Sequence, residues 1–185
     1  MWKEPKSLSH LTNMFYSCAK FPTVFNNSMA NQFYSSLDQQ LRAPLENQTN
    51  WVTNLSQFSA LLNMNLEDIN WVGFYLRVDE NNLKLGPFQG NVACIDIAMG
   101  KGVCGTAAEK GETLLVEDVD QFDGHIACDA RSRSEVVCPI IFEGKVIGVL
   151  DIDSPSLNRF NNEDAEGLSL MVESLVELTE WPGNF

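Results

Sequence analysis

Hydrophobic residues recur at helical spacing in three parts of the chain. The apolar positions are Phe33, Leu37 and Leu41 in the first part, Trp51, Leu55, Phe58 and Leu62 in the second, and Leu168, Met171, Leu175 and Leu178 in the third. Spacings of three and four residues place each set on one face of a helix. We expect Pro44 to end the first helix and Thr49 or Asn50 to cap the second, while the third is predicted over residues 164–178.

From Ile69 onward the period changes to two, which is typical of strands. The first predicted strand has Val72, Phe74, Leu76 and Val78 on one face, and Trp71, Gly73 and Tyr75 on the other. Residues 135–142 and 145–153 form the clearest hairpin, around the turn Glu143-Gly144. Further short strands are predicted at residues 83–85, 92–97 and 113–116.

Helices therefore bracket a run of about six strands joined by hairpins, which predicts an α+β fold with an antiparallel sheet. The terminal helices should cover one face of this sheet. Loops and a short helix over residues 103–109 should lie on the other face and form a pocket there. Residues 1–28 show no sustained period, so we interpret them as an N-terminal extension and residues 29–185 as the domain.

The composition and charge of the chain indicate which binding partners and which cellular location to expect. The 185 residues carry a net charge of −13 and have a pI of about 4.4, which argues against nucleic acid and anionic membranes as partners. The first residues lack the basic-then-apolar order of a signal peptide, and no stretch is long and apolar enough for a membrane span. We expect a cytoplasmic protein, with the nucleus open as a second location.

Three of the five cysteines, Cys94, Cys104 and Cys128, lie in a loop-rich segment with many glycines and alanines. Cys104 falls in the first turn of the short predicted helix, where the helix dipole should lower its pKa. Cys128 follows His125 by three residues, so an imidazole is close enough to exchange a proton with it. Free cysteines are more often inert core residues, but three in one segment weaken that interpretation.

The remaining two cysteines are expected to take no part in the chemistry. Cys138 alternates with Val136 and Ile140 on a strand, which predicts a core position, and Cys18 lies in the extension. Structural zinc sites usually contain close cysteine pairs, whereas Cys94, Cys104, Cys128 and Cys138 are spaced by ten, twenty-four and ten residues. The spacing therefore predicts no metal site, while a thiol–disulfide relay tolerates long intervals.

Three carboxylates should gather at one end of the hairpin. Asp151 and Asp153 continue the face of Ile147 and Val149, and Glu135 lies at the same end of the paired strand. Acids crowded on a half-buried face repel one another, so at least one should hold a proton near neutral pH. The alternative is a solvated strand end with ordinary turn aspartates.

Two aromatic residues, Trp71 and Tyr75, share the strand face opposite the aliphatic stripe, with Gly73 between them. The glycine should leave a gap between the rings that suits a small apolar group such as a methyl sulfide. A plain core role for both rings is the alternative.

Five stretches carry a resemblance to a known family: INWVGFY at 69–75, LGPFQG at 85–90, GKGVCGTAA at 100–108, GHIACD at 124–129 and GVLDIDS at 148–154. The chain resembles the free methionine-(R)-sulfoxide reductases, a GAF-domain family. The likeness runs from about Asn31 to Leu178. The fold alone would be weak evidence, but the three cysteines together with the acids make the match specific.

The resemblance implies a site. It assigns Trp71 and Tyr75 to the methyl end of the substrate, and Glu135, Asp151 and Asp153 to its sulfoxide and ammonium groups. The family cysteines correspond to Cys94, Cys104 and Cys128, whereas Cys138 departs from the family pattern. No cofactor is expected, a homodimer is common in the family, and thioredoxin is the expected reductant.

The chemistry implied is attack of a thiolate on the sulfoxide sulfur, followed by a disulfide. We expect Cys128 to attack and Cys104 to resolve, with Cys94 as an alternative resolver or relay, although the helix-terminus argument favours Cys104 as attacker. A non-catalytic GAF sensor of small molecules and a thiol redox switch acting on a partner protein are the competing hypotheses.

Overall fold

A computed structural model describes residues 29–126 and 128–183. The helices are α1 (Met29–Leu45), α2 (Trp51–Asn65), α3 (Gly102–Lys110) and α4 (Asn162–Leu178), and the strands are β1 (Trp71–Arg77), β2 (Asn82–Gly90), β3 (Asp96–Ala98), β4 (Leu114–Val116), β5 (Ser134–Phe142) and β6 (Lys145–Ser154). The predicted extension, residues 1–28 with Cys18, lies outside the described residues. No described helix is long and apolar enough to cross a membrane.

The six strands form one antiparallel sheet in the order β3-β2-β1-β6-β5-β4. This confirms the α+β fold and the count of strands expected from the sequence. Strand β6 lies between β1 and β5, and β1 lies between β6 and β2, so these two strands form the centre of the sheet. Both strands therefore have neighbours on either side, and most of their side chains are buried.

The ends of the helices agree closely with the sequence prediction, whereas one short strand does not. Asn50 caps α2, because its side chain accepts a hydrogen bond from the backbone N–H of Thr53 at 3.1 Å. Helix α1 continues one residue past Pro44 and ends at Leu45. Strand β3 covers Asp96–Ala98, so most of the strand predicted at residues 92–97 is loop.

One face of the sheet packs against α1, α2 and α4. The fully buried side chains that join the helices to this face include Leu37, Leu41, Leu55, Phe58, Val72, Phe74, Val136, Cys138, Leu150, Ile152, Leu168 and Leu175. Cys138 is thus a core residue, as its strand position predicted. Helices α1 and α4 are also joined by the Tyr34 hydroxyl, which donates to Asp164 Oδ1 at 2.7 Å.

The opposite face of the sheet carries α3 and a smaller apolar cluster. Its buried members are Trp71, Tyr75, Leu83, Ile97, Val103, Cys104, Ala107, Ala108, Val116, Val119, Val137 and Val149. Alternation along β1 thus sends Phe74 to the large helical cluster and Tyr75 to this smaller one. We call the two sides the helical face and the pocket face.

The β5–β6 hairpin turns at Glu143 and Gly144, both with positive φ (50° and 76°), as a tight two-residue turn requires. Beyond the turn, Ile140 pairs with Gly148 and Ile141 with Val146, so Ile147 is an extra residue without a partner. This irregularity sends Ile147 to the helical face. The predicted common face of Ile147 with Val149 and Asp151 is therefore wrong at Ile147 alone.

Candidate active site

A pocket opens on the pocket face between α3, the loop after the short 3-10 turn Val119–Gln121, and the ends of β5 and β6. It is lined by Tyr75, Ile97, Lys101, Gly102, Val103, Cys104, His125, Ile126, Cys128, Asp129, Ser132, Glu135, Asp151 and Asp153. With its open mouth it encloses about 390 Å³. Its lining combines apolar side chains with a few convergent polar groups, which is typical of small-molecule sites.

Strand register brings the three predicted carboxylates together. Glu135 lies directly opposite Asp153 in the β5–β6 ladder, and Asp151 lies two residues along, opposite Val137. All three line the pocket, and Glu135 and Asp151 are each only 6% exposed. The arrangement predicted from the hairpin is therefore present, and its members are more enclosed than a solvated strand end would be.

Burial changes the protonation of these acids. Loss of water contact, followed by the charges of Asp151 and Asp153, raises the pKa of Glu135 well above its usual range. Burial likewise raises the pKa of Asp153, with the charge of Asp151 adding to it. Burial raises the pKa of Asp151 to about 6. Near neutral pH the group therefore retains protons that can be donated to a bound ligand.

Cys104 lies inside this acidic cluster rather than beside it. Its thiol donates to Glu135 Oε1 at 3.7 Å, and the residue is only 4% exposed. Burial, together with the charges of Asp151 and Glu135, raises the pKa of the thiol well above its usual range. The prediction of a lowered pKa from the helix terminus is wrong here, because desolvation and like charges outweigh the dipole of the nine-residue helix α3.

The two other cysteines of the segment form a disulfide. Cys94 and Cys128 are joined, with their Cα atoms 5.3 Å apart, and both are partly exposed. Cys104 is free. The structure thus couples Cys128 with Cys94, and not with Cys104 as the sequence interpretation expected. The reason is positional: Cys104 is held in α3 against the strands, while the other two lie in loops that meet at the pocket mouth.

The rings of Trp71 and Tyr75 stack on each other instead of leaving a gap between them. Trp71 stacks on Tyr75 at 5.8 Å between ring centroids and on Phe88 at 5.4 Å. A Cβ on Gly73 would lie 2.3 Å from the Cβ of Phe88, so Phe88 occupies the space that the glycine leaves. The open gap predicted between Trp71 and Tyr75 is therefore absent, and only Tyr75 of the two lines the pocket.

The same two rings hold the loop that carries Cys94. The Tyr75 hydroxyl donates to the backbone oxygen of Cys94 at 3.1 Å, and Trp71 Nε1 donates to that of Asn91 at 3.1 Å. Both interactions fix the position of the cysteine relative to the sheet. The aromatic pair thereby holds the loop that carries the disulfide, and Tyr75 also lines the pocket.

Sequence reasoning missed a polar group at the pocket mouth. Asn70 Nδ2 donates to Ser132 Oγ at 3.1 Å and to Asp129 Oδ2 at 3.3 Å. Arg131 pairs with Asp129 at 2.7 Å, and its hydrogen bonds hold the pKa of Asp129 well below the usual range. Asn70 precedes a strand with clear alternation, but Ser132 lies in a loop without any period, so no sequence signal connects them.

One cluster in the pocket has the composition of a metal site. Cys104 Sγ and carboxylate oxygens of Glu135 and Asp151 all lie within 4.8 Å of one another. They come from α3, β5 and β6, which explains why cysteine spacing could not reveal them. Chemically, the pocket therefore combines proton-bearing acids, a disulfide at its mouth and a buried thiol, a set suited to reducing a small polar molecule.

Comparison with known proteins agrees with this chemistry. The GAF domain family matches residues 58–177. The free methionine-R-sulfoxide reductase of Escherichia coli K12 is 48% identical over 147 residues, which cover 80% of this chain and 88% of that protein.

Solved structures extend the similarity. The fRMsr of Staphylococcus aureus in complex with substrate is 50% identical with a TM-score of 0.74, covering 78% of this chain and 94% of that one. The free methionine-R-sulfoxide reductase of Neisseria meningitidis in complex with its substrate is 42% identical with a TM-score of 0.77, covering 82% and 90%.

Proposed function

Because the chain belongs to the free methionine-R-sulfoxide reductases, a family of GAF-domain proteins, we propose that it reduces free L-methionine-(R)-sulfoxide to methionine. The observation that carries the proposal is one pocket that joins buried, proton-bearing carboxyls to an oxidisable cysteine at its mouth. A sulfoxide needs both, since its oxygen must be protonated while its sulfur is attacked.

In the first step the sulfur of Cys128 attacks the sulfoxide sulfur of the bound substrate. Glu135, whose pKa is raised by burial, gives its proton to the sulfoxide oxygen. As the resulting adduct collapses, the substrate sulfur–oxygen bond and the transient sulfur–sulfur bond break, a sulfur–oxygen bond forms on Cys128, and methionine leaves while Cys128 becomes a sulfenic acid. The carboxylates of Asp151 and Asp153 hold the substrate ammonium, because a cation offsets the charge that these buried acids would otherwise carry alone.

In the second step Cys94 resolves the sulfenic acid. Its thiol condenses with Cys128, one water leaves, and the disulfide forms between the two. Support comes from the bond between these residues and from the hydrogen bond by which Tyr75 holds the Cys94 loop. This assignment replaces Cys104 as resolver, since Cys104 is buried among the acids with a raised pKa.

An external dithiol then restores both thiols, and we extend the proposal to thioredoxin as that reductant. Partial exposure of Cys94 and Cys128 supports the access that such exchange needs. The disulfide of the enzyme is thus the acceptor that links methionine formation to the reductant. A homodimer, which the family likeness implies, and a cytoplasmic location, which the sequence favours, belong to the same proposal.

The decisive experiment measures methionine formed from four substrates with excess dithiothreitol: the free (R) and (S) sulfoxides and the same epimers within a peptide. We expect turnover of the free (R) epimer only, with the free (S) epimer as its matched control. Equal turnover of the peptide-bound (R) epimer would contradict the assignment to the free amino acid. Binding of the free (R) epimer without any methionine formed would instead establish a sensor.

A further inference from the structure

Cys104 has no redox role in the proposed cycle, yet it lies at the centre of the acidic cluster. It belongs to the first turn of α3 and reaches across to the sheet, where its nearest polar neighbours are Glu135 and Asp151. Its surroundings raise the pKa of the thiol, so it is a poor nucleophile at neutral pH. A buried thiol between two carboxyls instead matches the donor set of a borderline-soft divalent cation.

The distances fit such an ion. Zinc bonds of about 2.0–2.3 Å around a tetrahedral centre place neighbouring ligand atoms roughly 3.3–3.8 Å apart. Cys104 Sγ and Glu135 Oε1 are separated by 3.7 Å, and the whole set of three ligand atoms lies within 4.8 Å. Only a small contraction is needed to bring all three onto one ion. The three residues come from α3 and two paired strands, which are rigid elements rather than loops.

An independent observation points to a missing ligand. Asp151 is only 6% exposed and lines the pocket, and its Oδ1 atom is buried without a hydrogen-bond partner among the described residues. An unpaired buried carboxylate oxygen is costly, so a site that keeps one is suited to a cationic occupant. In the catalytic cycle the substrate ammonium is one such occupant, and a metal cation is another.

We propose that Cys104, Glu135 and Asp151 bind one Zn²⁺ ion, and that this ion excludes methionine sulfoxide from the pocket. The exclusion rests on the proposed function, whereas the binding does not. On binding, the thiol of Cys104 and the carboxyl of Glu135 lose their protons to solvent, and zinc–sulfur and zinc–oxygen bonds form. The fourth ligand is water or Asp153, which lines the same pocket. The acids that serve the reaction, together with the sulfur of Cys104, thereby become a reversible inhibitory site.

Binding is tested with the full-length protein in its oxidised form. The Cys94–Cys128 bond then removes both of these sulfurs as ligands, and no thiol reductant is present to compete for metal. Titration with Co²⁺ should give one equivalent with a sulfur-to-cobalt charge-transfer band, and added Zn²⁺ should displace it. Cys104→Ser should abolish the band and weaken binding by at least about 10–100-fold, the loss typical even for outer-shell partners.

Matched variants separate this site from other sulfurs. Cys138→Ser changes a buried free cysteine on the helical face, and Cys18→Ser changes one outside the described residues; both should retain the band. Asp151→Asn should weaken binding by a similar factor and decides the matter if Cys104→Ser does not fold. A band that persists in folded Cys104→Ser, or the lack of saturable binding in the parent protein, would overturn the proposal.

A second measurement tests the exclusion. Turnover of the free (R) sulfoxide is followed with a phosphine reductant in excess EDTA, and then at increasing free Zn²⁺. The EDTA reaction examines the proposed function alone, so its failure is distinct from a failure of zinc binding. We expect Zn²⁺ to raise the apparent KM with little change in kcat. An unchanged KM at zinc concentrations that saturate the site would disprove exclusion.

Discussion

The two faces of the central sheet are built from the same strands, yet they differ in almost every physical property. Leu150 and Asp151 are neighbours on β6; the first is fully buried in the helical cluster, and the second is buried among acids. The helical face is continuous apolar packing under three helices. The pocket face combines a smaller apolar cluster with three carboxyls, a thiol and a disulfide.

Adjacent residues of one strand can therefore have opposite effects on stability, because one faces the apolar core and the next faces the pocket. Burying apolar side chains stabilises the fold, while burying carboxyls without cationic partners destabilises it. The raised pKa values of Glu135, Asp151 and Asp153 record that second effect. The helical face therefore has to supply the free energy that allows the pocket face to remain unfavourable, and substitutions on the two sides should fail in different ways.

The largest expected effect is on the pocket face. Cys128→Ser should reduce kcat/KM for the free (R) sulfoxide by about three orders of magnitude or more, because it removes the atom that we propose as the attacking nucleophile. The melting temperature of the reduced protein should change little. Steady-state assays and thermal melts of the same samples measure both quantities.

Two other cysteines serve as controls for that variant. Cys138→Ser alters a core thiol of the helical face and should retain activity. Cys94→Ser should still form about one equivalent of methionine in a single turnover, since only the resolving step is lost. Full multiple turnover in Cys128→Ser would contradict the assignment of the attacker.

The next effect belongs to the helical face. Phe58 of α2 is fully buried and packs edge-to-face on Phe74 at 5.5 Å between centroids. Phe58→Ala should lower the free energy of unfolding by about 3–5 kcal/mol, from lost burial and the cavity that remains. Urea unfolding measures the loss. The KM of the folded fraction should stay close to that of the parent protein.

Val52, on the same helix, is 45% exposed and offers the matched control. Val52→Ala should change the free energy of unfolding by no more than about 0.5 kcal/mol. A large change of KM in Phe58→Ala, at a temperature where the variant is folded, would show that the two faces are not independent.

The smallest effect is a pH dependence of the pocket face. A carboxyl whose pKa rises on folding binds its proton more tightly in the folded state, so its contribution to stability is present at low pH and lost as pH rises through the folded pKa. For Asp151 the rise from 3.8 to about 6 corresponds to about 3 kcal/mol, lost between roughly pH 4 and pH 6. Glu135 and Asp153 act in the same direction at higher pH.

We therefore expect the substrate-free protein to unfold at a higher urea concentration at pH 5 than at pH 8. Asp151→Asn should flatten part of this dependence, because the amide does not titrate. Greater stability of the parent protein at pH 8 would mean that the acids are not desolvated as their burial indicates.

Period-two alternation along the strands predicted the positions of most of the pocket residues that lie on strands. It placed Tyr75 on the pocket face, and hairpin register brought Glu135 to Asp151 and Asp153. These inferences succeed because strand geometry fixes the direction of every second side chain. The core position of Cys138 follows from the same rule.

The predictions that were wrong concern features that the alternation of apolar and polar residues does not determine. The meeting of Cys94 with Cys128 depends on two loops, and loop paths are not encoded in local patterns. Phe88 fills the space beside Gly73 because it lies directly opposite Gly73 in the β1–β2 ladder, on a part of β2 beyond the strand predicted at residues 83–85. The pKa of Cys104 required knowledge of its burial, which a helix position alone does not give.

The Cys94–Cys128 bond spans 34 positions of the chain, a segment that includes α3 and β4. Closing a loop of that size removes conformational freedom from the unfolded chain, equivalent to roughly 4 kcal/mol. The thermal stability of the protein should therefore depend on whether the Cys94–Cys128 bond is formed or reduced. We therefore expect the oxidised form to melt at a higher temperature than the reduced form, so that a melting curve of a mixture measures the fraction of protein that carries the Cys94–Cys128 bond.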